Sequence, residues 1–212
     1  MIPAADLLLF AGAALLMVLT PGPNMIYLIS RSLCQGRKAG IVSLLGVITG
    51  FVVHMLATAV GLSAVFLALP LAYEALRWTG AAYLLWLAWQ TVKPAARSPF
   101  AARRLPADSI SRLFVMGFLT NALNPKIAVF YLSVFPQFVS PGHGSVFVQS
   151  VALGFTQIVV SFSGNLLLIL FAADMASFFV RHPRWLAAQR TLIGGVLAGL
   201  AVRLAIEQRR QI

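Results

Sequence analysis

The chain contains very little cysteine and very few acidic residues, and both shortages narrow its function. Its single cysteine, Cys34, excludes an intramolecular disulfide, a CxxC redox pair and a metal site made of several cysteines. Only five of its 212 residues are Asp or Glu. It also lacks an HExxH motif, a GxSxG motif, a glycine-rich phosphate loop and paired carboxylates within an apolar run. We therefore predict that the protein is not an enzyme and needs neither a metal nor a cofactor.

Charge of either sign is scarce, since 10% of the residues are charged whereas 60% are hydrophobic. In soluble domains about a quarter of the residues are charged, so this composition indicates an integral membrane protein. The net charge of +11 does not point to nucleic acid, because the basic residues lie in short clusters between apolar runs, as in cytoplasmic loops. We expect the lipid bilayer, and not nucleic acid, as a partner. The clusters are Arg31, Arg37 and Lys38; Lys93, Arg97, Arg103, Arg104 and Arg112; and Arg181, Arg184 and Arg190.

Six segments are long and apolar enough to cross a bilayer, which takes about 20 residues. They are residues 4–33, 40–69, 73–92, 113–138, 145–180 and 186–206. The positive-inside rule places the N-terminus in the periplasm, although Arg203, Arg209 and Arg210 fit a five-span chain better. Residues 1–6 lack the Lys or Arg of a secretory signal, so we expect the first segment to be retained as a span.

The chain divides into two halves that echo one another, residues 1–93 and 113–212, joined by a basic cytoplasmic linker at 94–112. Each half opens with a proline-broken helix, continues with a long glycine-containing helix and closes with a shorter helix that begins at an arginine. Two three-helix units in succession have opposite orientations in the membrane. We therefore predict an all-α integral membrane protein with six transmembrane helices in two inverted repeats, in which helices 1 and 4 are broken.

The first break is the sequence Thr-Pro-Gly-Pro-Asn at residues 20–24, and the second is Asn-Pro-Lys at residues 124–126. The prolines of the first break remove the hydrogen bonds that the carbonyls of Met17 and Leu19 would otherwise accept. In hydrocarbon such a break must face protein or a wet cavity, which in transporters is often the solute site. A broken helix offers N–H groups for an anion and carbonyls for an ammonium, which suits a zwitterion. The candidate substrate-binding residues are Thr20, Pro21, Gly22, Pro23, Asn24, Asn121, Asn124, Pro125 and Lys126.

Lys126 lies near the middle of the fourth span. It is about 20 Å from either end at 1.5 Å per residue, which is too far for its side chain to reach the interface. An ammonium at this depth needs a partner or water. The partner is either Asp174 or the carbonyls freed by Pro125, or else Lys126 is a positive point that holds a substrate carboxylate.

Three residues of the second span, Gly46, Gly50 and His54, share one helix face at a spacing of four. Glycines at this spacing, together with Gly154 in the fifth span, predict close helix packing. His54 is either a hydrogen-bonded histidine in the packed interior or a proton-coupling group. Asp174 is either a second proton-coupling candidate or a residue at the membrane interface.

Amide and hydroxyl side chains leave two further interpretations open. The amides of Asn24, Asn121 and Asn124 either cap exposed helix ends or bind a small polar solute. A polar stripe in the fifth span either forms hydrogen bonds between helices or faces water. The stripe consists of Gln157, Ser161, Gly164 and Asn165.

The two proline motifs, about 100 residues apart, resemble those of the LysE/RhtB family of bacterial amino-acid exporters, and the resemblance extends over nearly the whole chain. It implies an inner-membrane secondary carrier driven by the proton gradient or by exchange, and it leaves a homo-oligomer open. Family members that export cationic amino acids have an acidic residue where this chain has Phe51. The resemblance therefore implies a neutral substrate such as threonine, homoserine or leucine. The motif positions correspond to Pro21, Gly22, Pro23, Asn24, Gly46, Asn124, Pro125 and Lys126.

The resulting prediction is a secondary active exporter of small neutral amino acids across the bacterial inner membrane, with protons as the expected coupling ion. One alternative is an exporter of another small solute or of a divalent cation with related architecture. The cation is disfavoured because a metal site needs carboxylates, several histidines or thiolates. Another alternative is a membrane enzyme or accessory protein without transport, which the missing catalytic motifs disfavour.

Overall fold

The computed structural model describes residues 2–68 and 107–172 continuously, together with residue 174 and isolated helical positions between 78 and 89 and between 188 and 202. These described residues form helices and no strand, which confirms the predicted all-helical class. The predicted third and sixth spans lie largely outside the described residues, so the inverted repeat stays a prediction. The helices are α1 (Ala4–Leu19), α2 (Pro23–Gln35), α3 (Arg37–Ala68), α4 (Ile110–Ala122), α5 (Pro125–Phe138) and α6 (Val146–Leu170), with a short 3-10 turn at Pro141–His143.

Two pairs of consecutive helices are each separated by a short break, and each pair together is long and apolar enough to form one bent span. α1 and α2 meet at an angle of 57°, and α4 and α5 meet at 47°. α3 and α6 are each long and apolar enough to cross a membrane alone, because Arg37–Ser63 and Val146–Leu170 each contain an 18-residue window of high mean hydropathy, 2.1 and 1.8 respectively. The described part of the chain thus contains up to four spans, and the predicted breaks in helices 1 and 4 are confirmed.

Local sequence explains where these helices begin and end. Pro23 and Pro125 each occupy the first turn of a helix, where the missing N–H has no acceptor to lose. α2 ends at Gly36, whose φ of 87° favours glycine. α4 begins after Ser109, whose hydroxyl accepts the N–H of Arg112 at 3.3 Å.

α3 is the central helix, and it packs against both α4 and α6. A methyl group on Gly46 would overlap the α4 backbone at Phe114, and one on Gly117 would overlap the α3 backbone. These two glycines therefore let the backbones of α3 and α4 touch, as small residues do between membrane helices. On the other side of α3, the missing side chain of Gly154 in α6 makes room for Met55.

An aromatic cluster joins α1 to α5. The ring of Phe10 lies 5.1 Å from that of Phe135 and 5.4 Å from that of Phe138, edge-on in both cases. Tyr131 stacks on Phe135 with 4.4 Å between the ring centroids. These ring contacts hold α1 beside α5. The C-terminal end of α1 therefore lies next to the second break.

Candidate functional site

The two breaks meet at Lys126. Its Nζ donates hydrogen bonds to the carbonyls of Met17 and Thr20, at 2.7 and 2.6 Å. The side chain belongs to the first turn of α5, whereas both carbonyls belong to the C-terminal end of α1. Lys126 is only 8% exposed, so its buried ammonium group is stabilised by the dipoles of two backbone carbonyls.

The partner of Lys126 differs from the carbonyls that its sequence position suggested. From the sequence we expected Asp174, the carbonyls freed by Pro125 in the same broken helix, or a substrate carboxylate, but the structure uses carbonyls of the other break. Met17 is the residue whose carbonyl Pro21 deprives of an N–H donor, as predicted. The second acceptor is Thr20 rather than Leu19, because the chain leaves the helix at Thr20 with a ψ of 123°.

Two asparagines form a second link between the breaks. Asn124 Nδ2 donates to Asn24 Oδ1 at 3.2 Å, and both side chains are buried. The Oδ1 atom of Asn124 accepts the backbone N–H of Lys126 at 3.1 Å. Asn124 therefore caps α5 and at the same time joins it to the first turn of α2.

Gly22 lies directly against the side chain of Lys126. A methyl group placed on Gly22 would lie 3.2 Å from Lys126 Cδ and 3.3 Å from Nζ. Its φ of −167° is an extended conformation that any residue adopts. The need for glycine here therefore comes from the close approach of Lys126, not from the backbone angle.

A small cavity remains at the junction of the breaks, with a volume of about 20 Å³. Such a space holds about one water molecule. Its walls include Thr20, Gly22, Asn24, Lys126 and, from α6, Asn165. A larger solute does not fit in this conformation unless the walls move.

The carbonyl freed by Pro125 is that of Asn121, and it has its own partners. His54 Nε2 lies 3.3 Å from this oxygen, and the N–H of Asn124 donates to it at 2.9 Å. The side chain of Asn121 is fully buried against Gly50, where an added methyl group would lie 2.7 Å from Asn121 Oδ1. Neither polar atom of this amide has a hydrogen-bond partner among the described residues.

The polar stripe of α6 connects to α5 through Tyr131. The Tyr131 hydroxyl donates to Gln157 Oε1 at 2.5 Å, and Gln157 Nε2 donates to Ser161 Oγ at 2.6 Å. Tyr131 also stacks on His54, with 5.6 Å between the rings. Asn165 at the end of the stripe lines the cavity. The stripe thus forms hydrogen bonds between helices and also reaches the junction. Sequence reasoning missed Tyr131, whose position in an apolar helix carries no motif.

A cluster around Asp108, near the start of α4, was also missed. Its carboxylate forms ion pairs with Arg31 and with Arg112, the latter at 3.1 Å, and accepts from Gln35 Nε2 at 3.0 Å. The hydrogen bond from Gln35 and the charges of the two arginines hold the pKa of Asp108 below its usual range. Beside the cluster lies a cavity of about 330 Å³ that Cys34 also lines. The sequence alone predicts only that Arg31 and Arg112 are charges of cytoplasmic loops.

Two predicted residue roles receive no support at the junction itself. Asp174 is an exposed helical residue beyond the end of α6, and its role stays a prediction. His54 contacts Asn121 and Tyr131, and no hydrogen bond between described residues joins it to Lys126.

The continuously described ranges also contain no group of three His, Cys, Asp or Glu side chains suited to a metal.

Known proteins resemble this chain over most of its length. Residues 15–208 match the protein family described as LysE type translocator. A homoserine/homoserine lactone efflux protein of Salmonella typhimurium is 36% identical over 145 residues, which is 68% of this chain and 69% of the relative. A leucine efflux protein of Klebsiella pneumoniae is 28% identical over 195 residues, or 92% of each chain. An uncharacterized membrane protein of Pseudomonas aeruginosa is 30% identical over 196 residues, or 89% of each. No solved structure matches.

Proposed function

Because this chain belongs to the LysE type translocator family of amino-acid efflux transporters, we propose that it is a secondary active exporter of small neutral amino acids. The observation that carries the proposal is the meeting of two broken helices at Lys126, where one buried cation faces two backbone carbonyls. In transporters, the ends of broken helices near the middle of the membrane commonly bind charged solute groups.

We assign opposite roles to the two signs of charge at the junction. Lys126 and the N-terminal end of α2, at Pro23 and Asn24, bind the substrate carboxylate. The carbonyls of Met17 and Thr20 bind its ammonium group. The amides of Asn24, Asn121 and Asn124 supplement both sets as donors and acceptors.

Selectivity for neutral side chains follows from the walls of the site. The described lining contains no carboxylate, and Phe51 contributes an apolar ring to it. A cationic substrate side chain would lie near Lys126 without a counter-charge, which is costly in a low dielectric. The names of the relatives from Salmonella typhimurium and Klebsiella pneumoniae support this choice, because homoserine and leucine both have uncharged side chains.

Transport requires the small cavity to open to each side in turn. In the proposed cycle, the halves 1–93 and 113–212 rock about the junction, with the N-terminus in the periplasm and the protein in the inner membrane. His54 couples the cycle to protons, with Asp174 as the second candidate. One chain forms the whole junction, so the proposed carrier works either as a monomer or within a homo-oligomer.

The test is an efflux assay in proteoliposomes. Vesicles are loaded with labelled homoserine, leucine or threonine, and a pH gradient is imposed across the membrane. We expect efflux well above that of protein-free vesicles for at least one of them, and none for lysine or glutamate. Absence of efflux for all three, with folded and inserted protein, would contradict the proposal. Equal efflux of lysine would contradict the selectivity.

A further inference from the structure

We propose that the carbonyls of Met17 and Thr20 form a primary-ammonium site which Lys126 itself fills in the empty carrier, and from which the substrate's amino group displaces Lys126. The identity of the displacing substrate rests on the proposed function. The existence of the ammonium site does not, because it rests on contacts within the chain.

The geometry of the two carbonyls is that of a site for a hydrogen-bonding cation. Both oxygens converge on one nitrogen, at 2.7 and 2.6 Å, and the nitrogen is buried. A primary ammonium carries three donors, of which the carbonyls take two. The partners are neutral dipoles and not a carboxylate, so nothing in these contacts is specific to lysine. Any primary ammonium that reaches the same position makes the same two hydrogen bonds.

The junction is too small for Lys126 Nζ and a substrate ammonium to contact the two carbonyls at the same time. The Lys126 stem lies against Gly22, and the cavity beside it has room for about one water molecule. A substrate ammonium therefore reaches the carbonyls only when Lys126 Nζ leaves them. The exchange keeps both carbonyls satisfied, so loading does not strand unpaired groups in the membrane. Lys126 is the one Lys or Arg among the described residues that line the cavity, so once released it is available to the substrate carboxylate.

Truncation of Lys126 should create a cavity that free amines fill according to their size. Lys126→Met ends its side chain one atom short of Nζ, which leaves room for the ammonium ion alone. Lys126→Ala removes three carbons and the nitrogen, which together match n-propylammonium. We would measure the thermal unfolding midpoint of each purified variant in detergent, with each amine as its chloride salt at constant ionic strength.

We expect each matched amine to raise the Tm of its own variant by about 3 °C or more at saturating concentration. The crossed pair of n-propylammonium with Lys126→Met should give no increase, because that amine is too large. Tetramethylammonium, which has no N–H donor, should raise neither, and the wild type should not respond to any of them. Lys38→Met, which alters an exposed lysine, is the matched control and should also not respond.

Two results would overturn the proposal: no increase with either matched amine, or an equal increase with tetramethylammonium. If Lys126→Ala does not fold, the pair of Lys126→Met and ammonium decides the question alone. The outcome is independent of the efflux assay. Size-matched stabilisation without amino-acid efflux leaves the ammonium site intact and rejects the substrate. Efflux by the wild type without such stabilisation rejects the ammonium site alone.

Discussion

The two broken helices differ in how the carbonyl freed at each break is satisfied. At the first break, Met17 accepts from Lys126, which comes from another broken helix. At the second, Asn121 accepts from Asn124 in its own chain segment at 2.9 Å, and His54 lies 3.3 Å away. The first break therefore depends on a buried charge, whereas the second is largely self-capped.

The asparagine side chains differ in the opposite direction, because the one at the first break has a hydrogen-bond partner and one at the second break does not. At the first break Asn24 is paired with Asn124, but at the second both polar atoms of the Asn121 side chain lack a partner among the described residues. A buried polar group without a partner costs about 1–3 kcal/mol. In the transport cycle proposed above, a substrate displaces a partner at the first break, whereas at the second it supplies a missing one. This difference can be tested at four positions in the two breaks, and a fifth position, Asp108, provides a contrast.

The largest effect is expected from removing the charge at the first break. Lys126→Met loses two hydrogen bonds from a charged donor, worth about 1.5–3 kcal/mol each, and also the cation for the substrate carboxylate. We expect the initial rate of efflux from proteoliposomes to fall at least about 100-fold. Lys38→Met, at an exposed site, should transport normally. Near-normal efflux by Lys126→Met would remove this residue from the site.

A smaller effect is expected from crowding Lys126 without changing its charge. In Gly22→Ala the new methyl group would lie 3.2 Å from Lys126 Cδ and 3.3 Å from Nζ, so the side chain must shift by a few tenths of an ångström and its hydrogen bonds to the two carbonyls weaken. We expect about 10-fold slower efflux, which corresponds to about 1.4 kcal/mol. Gly12→Ala is the matched control on α1, because its methyl group would meet no atom within 4 Å. Equal rates in the two variants would contradict the close contact.

At the second break, His54 is the position to change. Glutamine keeps an N–H for the Asn121 carbonyl but does not titrate, so His54→Gln should preserve the fold and lose proton coupling. We expect the several-fold stimulation of efflux by a pH gradient to disappear, while exchange of labelled for unlabelled substrate continues. Unchanged dependence on the pH gradient in this variant would exclude His54 as the coupling group.

Replacing the unpaired amide of Asn121 with an apolar side chain should stabilise the protein. Leucine has a similar branched shape and no polar atoms, so Asn121→Leu removes a desolvation penalty of about 1 kcal/mol. We expect the Tm to rise by about 3 °C and efflux to fall about 3-fold. Asn124→Leu, which breaks the bond to Asn24, should instead lower the Tm. A lower Tm in both variants would show that Asn121 has a partner in the membrane.

The smallest effect concerns the ion pairs of Asp108, which contrast with the neutral carbonyls around Lys126. Because the pKa of Asp108 is lowered from 3.8, its ionised form stabilises the fold at neutral pH. That contribution decreases as the pH falls from about 5 and is lost below the lowered pKa. We expect a small Tm difference between wild type and Asp108→Asn at pH 7 that shrinks toward pH 3. A difference independent of pH would contradict the ionised pair.

Much of the fold and part of the site were predictable because they depend on local chemistry. Pro21 and Pro125 break their helices wherever these helices lie, and a lysine predicted to lie about 20 Å from either interface needs a partner or water. The identity of that partner was not predictable, because Met17 and Lys126 are far apart in sequence. Asp108 and Tyr131 were missed for the same reason, since each acquires its partners only when α4 and α5 pack against other helices.

The sequence by itself determined that the chain is an apolar helical membrane protein with two interrupted helices, because hydropathy and the missing N–H of proline act residue by residue. Only the tertiary structure decided that α1 ends beside the first turn of α5. There the ammonium of Lys126, from the second break, donates hydrogen bonds to two carbonyls of the first break. Such a contact depends on how helices pack through small residues and aromatic rings, and helix packing depends on residues from separate segments at once.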